Sequence, residues 1–127
     1  MATVLVAEDE PGVRAVVAAA LTHAGHAVLE AADGAEGLRL ARAHRPAVVV
    51  ADRRMPGLDG LALARALKAD PALGGARVVL VSGEPADAPA ARAAGVDAYL
   101  VKPFRLTQLL AAVAPAAAAS GQGPPER

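Results

Sequence analysis

Five short apolar runs, at residues 4–7, 27–29, 47–51, 78–81 and 98–101, recur along the chain with stretches between them long enough for a helix. Few architectures accommodate that alternation. Three of the runs are nearly continuous Val and Leu, with no polar residue at every second position, which is the pattern of parallel strands covered on both faces. The intervening stretches carry helical spacing instead: Val13, Val16, Val17, Ala20 and Leu21; then Leu63, Ala64 and Leu67; then Leu106, Leu109, Leu110 and Val113. Each gives one apolar stripe to set against a sheet. The chain is therefore expected to be α/β, a parallel sheet with helices on both sides.

Local signals delimit the helices. Pro11 suits a first helical turn, where a missing N–H costs nothing, and Gly25 falls just past the end of that helix, where a positive φ is often needed. The second stretch, 35–44, places Arg39, Arg42 and Arg45 beside Leu38 and Ala41, the composition of a solvated face. Pro85 and Pro89 restrict the fourth helix to about 87–94, so it is expected to be short and mobile. From Pro115 the sequence becomes Ala-rich and then Ser-Gly-Gln-Gly-Pro-Pro, too poor in large apolar residues to stay packed. The domain is placed at 1–118, with 119–127 a disordered tail or the start of a linker.

Composition narrows the function classes. With 127 residues the chain fits one domain and one main site. Thirteen basic and thirteen acidic residues are dispersed along it, so no basic arm points to direct nucleic-acid binding or an anionic membrane. There is no cysteine, which removes disulfides and thiolate metal sites and suits a reducing cytoplasm. No stretch reads as a signal peptide or could span a bilayer, so a soluble, cytoplasmic protein is expected. Aromatic residues are so few, 2% of the sequence, that Tyr99 and Phe104 stand out.

In an open parallel sheet, ligands bind beyond the carboxyl ends of the strands. At those ends stand Glu8 and Asp9 after the first run, Asp52 after the third, Ser82 after the fourth, and Lys102, Pro103 and Phe104 after the fifth. Two carboxylates about 4 Å apart repel by roughly 4 kcal/mol at an effective dielectric of about 20, so a cluster of three implies a cation between them. Hard oxygen ligands without His or Cys select Mg²⁺, or Mn²⁺, which keeps waters and can take a phosphoryl oxygen. Asp52 could then attack phosphorus to form an acyl phosphate, with the metal, Lys102 and Ser82 dividing the phosphoryl oxygens.

With this spacing the sequence resembles the receiver domain of two-component response regulators, through VLVAEDE, ADRRMPGLDG, VVLVSG and YLVKPF, over about residues 1–114. The resemblance implies a flavodoxin-like (βα)5 sandwich of chemotaxis-regulator type, with five parallel strands in the order 2-1-3-4-5. It also implies Asp52 as phosphoacceptor, with Asp9, Glu8 through water, Asp52 and the Arg54 carbonyl as metal ligands. Ser82 and Lys102 would bind the phosphoryl group, the Lys102–Pro103 bond would be cis, and Tyr99 would be a switch on the face formed by the fourth helix, fifth strand and fifth helix. The implied donor is a sensor histidine kinase or a histidine phosphotransfer protein. The implied recipient is a downstream target or an output domain, and a phosphorylation-dependent dimer is compatible with the family. Arg54 and Glu84, two residues after Asp52 and Ser82, would overhang the acyl phosphate and pair there, lengthening its lifetime.

Blander readings stand beside these. Asp52 can be a turn carboxylate, Glu8 and Asp9 can favour the first helix through its dipole, Ser82 can cap a backbone group, Lys102 can be a surface lysine, and Tyr99 can be plain packing. Asp59 is read as the N-cap of the third helix, with Gly60 in the turn, and His23, His26 and His44 as surface or loop residues. Among rival functions, aspartyl-phosphate phosphatases need a second Asp where this chain has Arg54, and nucleotide or flavin sites use a Gly-rich turn where it has Glu8-Asp9-Glu10-Pro11. The chain is thus not expected to be an enzyme beyond phosphorylating itself from a donor and slowly losing the group. A receiver-fold interaction module that works without phosphorylation is the alternative.

Overall fold

A computed structural model describes residues 2–84 and 88–121. Strands and helices alternate: β1 (Thr3–Ala7), α1 (Pro11–His23), β2 (Ala27–Ala31), α2 (Gly34–His44), β3 (Val48–Asp52), α3 (Gly60–Ala69), β4 (Arg77–Ser82), α4 (Ala88–Ala94), β5 (Ala98–Val101) and α5 (Leu106–Gly121). The five strands form one parallel sheet in the order β2-β1-β3-β4-β5. This is the expected flavodoxin-like arrangement.

Strand alternation divides the core in two. Val4, Val6, Val48, Val50, Val79 and Val81 point to one face, where Val17 and Leu21 of α1 and Leu109 and Val113 of α5 cover them. Leu5, Ala7, Val49, Ala51, Val78 and Leu80 point to the other, against Ala41 of α2, Leu63, Ala64 and Leu67 of α3, and Ala94 of α4. Every residue of β3 is buried, which accounts for the unbroken apolar run at 48–51 that precedes Asp52. Burying a Val or Leu side chain contributes about 1.5–3 kcal/mol, so these two clusters set the order and register of the sheet.

Helix ends follow their local chemistry. Pro11 opens α1 behind Glu10, whose side chain accepts from the Gly12 N–H, and Gly25 follows it at φ 98°. Asp59 caps α3 by accepting from Ala62 N, as expected, and Asp33 caps α2 by accepting from Glu36 N.

Three expectations are corrected. Val16, assigned to the apolar stripe of α1, is 58% exposed, because Val17, Leu21 and Ala18 define the face toward the sheet. Leu106 likewise lies outside, and the two flank an apolar groove shared with Val13, Val17 and Phe104. The segment expected to lose order after Pro115 is helical to Gly121. Alanine is the best helix former, and Pro115 removes only one intrahelical donor; Arg77 Nε also donates to the nearby Ala112 carbonyl at 2.6 Å. The fourth helix is short, Ala88–Ala94; Pro85 and Asp87, part of that expectation, lie outside the described residues, as do 122–127.

Candidate functional site

β1 and β3 are adjacent in the middle of the sheet, and the connections leaving them run to opposite faces: α1 covers one, α3 the other. A crevice is therefore dictated at their carboxyl ends. Glu8 follows β1 at 5% exposure and Asp52 ends β3 at 7%, while Asp9 stands in the open. One carboxylate oxygen from each of Glu8, Asp9 and Asp52 lies within 4.8 Å of the others. Beneath them the wall is apolar, made by Val6, Val13, Val50, Val81 and Phe104.

Lys102, just beyond β5, reaches into this group. Its Nζ donates to Asp52 Oδ2 at 2.8 Å and lies 3.6 Å from Glu8 Oε1. The Lys102–Pro103 peptide is cis, as expected. The other Asp52 oxygen, Oδ1, accepts from the Arg54 N–H at 3.1 Å, and Glu8 Oε2 accepts from Glu10 N at 3.1 Å. Ser82 ends β4 fully buried, and its Oγ accepts from the Glu84 N–H at 3.1 Å. Tyr99 on β5 is half-buried, with its hydroxyl 3.5 Å from the Glu84 carbonyl. Over the rim, Arg54 and Glu84 form a forked ion pair: Nη2 is 2.6 and 2.8 Å from the two carboxylate oxygens and Nε is 3.1 Å from Oε1. The pairing expected from the family resemblance is thus present.

The electrostatics follow from burial and crowding. Burial raises the Glu8 carboxyl to about 7, reinforced by Asp52 beside it and opposed by the Glu10 N–H and Lys102. Burial pulls the Lys102 ammonium down, but its bond to Asp52 and the charges of Asp52 and Glu8 outweigh that and raise it overall. The carboxylates therefore crowd one another with a single ammonium between them, an excess of negative charge that a divalent cation would offset. The donors are all oxygen, with no imidazole or thiolate in the group, and that set fits a hard ion such as Mg²⁺.

Glycines shape the far wall. A Cβ at Gly60 would lie 2.5 Å from the Asp52 carbonyl oxygen, 2.6 Å from Leu80 Cδ1 and 2.8 Å from Arg53 Cα. Gly60 is thus required for α3 to approach the end of β3, beyond its expected place in the turn. Sequence reasoning also passed over Arg14, whose Nη1 donates to the Glu8 carbonyl at 2.8 Å. The available signal was a cation in the first turn of a helix, where the dipole disfavours it. The three histidines lie away from the site, and His26 Nδ1 accepts from the Ala2 N–H at 3.2 Å.

A five-stranded parallel α/β sandwich with an acidic group, a lysine and a buried hydroxyl at one edge defines a class of signalling domain. The chain belongs to the response regulator receiver domain family, which it matches over residues 4–114. It is 41% identical over 110 residues to the transcriptional regulatory protein PrrA of Mycobacterium tuberculosis, covering 87% of this chain and 47% of the relative. It is 38% identical over 112 residues to the transcriptional regulatory protein PdtaR of the same species, covering 87% and 54%. The chain spans about half the length of these curated relatives. The chemotaxis protein CheY4 of Vibrio cholerae superposes with a TM-score of 0.86 at 30% identity, over 91% of this chain and 98% of that one. The receiver domain of the putative response regulator NarL from Mycobacterium tuberculosis gives 0.82 at 36% identity, over 93% and 97%. The chain is a receiver domain of two-component response regulators. Among the described residues no helix is long and apolar enough to cross a membrane.

Proposed function

We propose that Asp52 accepts a phosphoryl group from a phosphohistidine donor and that the resulting charge shifts the face formed by α4, β5 and α5. The observation that carries this reading is the Asp52 carboxylate itself, buried at the end of β3, bonded to Lys102 at 2.8 Å and grouped with Glu8 and Asp9. An Asp52 oxygen would bond to phosphorus as the phosphorus–nitrogen bond of the donor breaks, and the imidazole would leave with the bonding electron pair. Glu8, Asp9, Asp52 and the Arg54 carbonyl would hold Mg²⁺, or Mn²⁺. When bound, the ion supplies positive charge against the phosphoryl oxygens. Lys102 would transfer its bond from the Asp52 carboxylate to the incoming group, stabilising charge where it develops.

Ser82 and Tyr99 would carry the response. The Ser82 hydroxyl accepts from Glu84 N–H and keeps its own proton to offer to a phosphoryl oxygen. That movement would draw the β4–α4 loop inward and free the space into which Tyr99 turns. Shifting a population from 1:99 to 99:1 requires about 5.5 kcal/mol of differential stabilisation, and a phosphoryl charge near −2 beside Lys102 and a metal is the source we assign to it. The Arg54–Glu84 pair would cover the acyl phosphate and modulate its lifetime.

The domain would act in the cytoplasm as a phosphoacceptor with slow self-dephosphorylation and no turnover of other substrates. A sensor histidine kinase or histidine phosphotransfer protein would be its donor, and an output domain or a separate target its recipient, with residues 119–127 leading toward it. The test is intact mass after incubation with a small-molecule phosphodonor and Mg²⁺. A metal-dependent adduct on wild type and none on Asp52→Asn is expected. A wild-type chain that takes no phosphoryl group would leave an interaction module that works without phosphorylation.

A further inference from the structure

Arg14 is the fourth residue of α1, where the dipole of the helix disfavours a cation. Its side chain is only 20% exposed, so water does not offset that cost. Its contacts are with the loop carrying two of the three clustered carboxylates and with the neighbouring strand. Nη1 donates to the Glu8 carbonyl at 2.8 Å, and Nε lies 3.5 Å from Glu30 Oε1 on β2. On its other side, the Glu8 N–H donates to the Ala31 carbonyl at 3.0 Å. The Glu8 main chain is thus tied at its nitrogen to β2 and at its oxygen to α1.

We propose that Arg14 is a positioning residue for the metal site: it clamps the β1–α1 loop so that Glu8 and Asp9 face Asp52 before any cation arrives. The proposal rests on the reading of these carboxylates as metal ligands. Mutual repulsion of three carboxylates acts to open this loop, and Glu8 and Asp9 are consecutive, so fixing the Glu8 carbonyl also fixes where Asp9 begins. An arginine suits the task because its planar fork can serve the carbonyl and Glu30 together, whereas a lysine ammonium is a single point. Without the clamp, part of the cation's binding free energy would go to ordering the loop.

The test is titration of wild type, Arg14→Met, Arg14→Lys and Asp9→Asn with Mn²⁺, counting the free ion by electron paramagnetic resonance. Thermal unfolding without metal is measured in parallel. Arg14→Met, which keeps the apolar stem, is expected to weaken Mn²⁺ binding roughly tenfold, the scale seen for groups that orient metal ligands, and Arg14→Lys to fall between it and wild type. Unchanged Mn²⁺ affinity in both Arg14 variants, with only the metal-free midpoint lowered, would overturn the proposal and leave Arg14 as helix packing. Should Arg14→Met fail to fold, Arg14→Lys decides alone: weaker binding supports the clamp and equal binding overturns it. A wild type that takes up no Mn²⁺ removes the metal-binding reading and the clamp with it. Loss of binding in Asp9→Asn beside wild-type affinity in both Arg14 variants removes the clamp alone.

Discussion

The two sides of the crevice are held in different ways. On the side of β1 and β3, hydrogen bonds fix the main chain: Glu8 by Ala31 and Arg14, Arg53 by the Val81 carbonyl at 2.7 Å, and Gly60 by the Arg53 carbonyl at 3.0 Å. On the side of β4 and β5, among the described residues after Ser82, Glu84 meets the site through a bond to Ser82 Oγ, an exposed ion pair with Arg54 and a 3.5 Å approach to the Tyr99 hydroxyl. The difference separates two tasks. On the proposed reading, the carboxylates that would hold an ion sit on the pinned side, and Ser82 and Tyr99, which would move when the phosphoryl group arrives, sit on the lightly tied side.

Glycine substitutions give the sharpest contrast. A methyl group at Gly60 would collide with the Asp52 carbonyl, Arg53 Cα and Leu80. Gly60→Ala is expected to cost about 3 kcal/mol, the upper part of the range for overpacking. Gly83, next to Ser82 on the other side, has none of the described residues within 4 Å of an added Cβ. Gly83→Ala should change stability by less than about 0.5 kcal/mol. Urea unfolding of both variants measures the contrast, and equal losses would show that the two sides are equally constrained.

A smaller effect separates the sides by pH. Glu8 is raised from 4.5 to about 7, first by burial and then by Asp52. Between those values the folded chain holds a proton that the unfolded chain has released. Stability of the metal-free protein from this group is therefore complete below 4.5 and is lost as pH rises through about 7. In chelator, the unfolding midpoint of wild type should fall across that window, while Glu8→Gln, which does not titrate, should lose this slope. The corresponding substitution on the lightly tied side, Glu84→Gln, should keep it.

Legibility in the sequence divides along the same line. Strands were legible because β1, β3 and β4 are buried on both faces and so carry unbroken apolar runs. The candidate site was legible because a parallel sheet places the residue after each strand at one edge, which brought Glu8, Asp9, Asp52, Ser82 and Lys102 to notice together. The Arg54–Glu84 pair came instead from the family resemblance, which places both side chains over the site. Val16 and Leu106 were misplaced because apolar spacing locates a stripe without its edges, and both lie at the margin of the buried face. Arg14 went unnoticed because its partner is a main-chain carbonyl, and every residue type offers one. Continuation of α5 past Pro115 is not legible from composition, because the lack of large apolar residues after it argues against packing while its alanines still favour a helix.

The smallest expected effect concerns the ion pair that joins the two sides. Arg54 is exposed at the rim, and its bonds to Glu84 raise its already high pKa. An exposed pair contributes little to folding, so Arg54→Ala should unfold almost as wild type does. Its consequence should instead appear in the acyl phosphate. If the pair covers the acyl phosphate as proposed, a water approaching phosphorus in line with the Asp52 oxygen would have to pass a guanidinium and a carboxylate held together by three contacts. Removing the guanidinium leaves Glu84 free to swing away and opens that approach. Dephosphorylation of Arg54→Ala, followed by intact mass after the donor is removed, is expected to run a few-fold faster than wild type, about 1 kcal/mol or less in barrier. Glu84→Gln should fall between them, because its amide can accept one bond from Arg54 without the charge. Equal lifetimes in all three chains would mean that the pair ties the loops together without screening the site, and the lightly tied side would then owe its behaviour to Ser82 and Tyr99 alone.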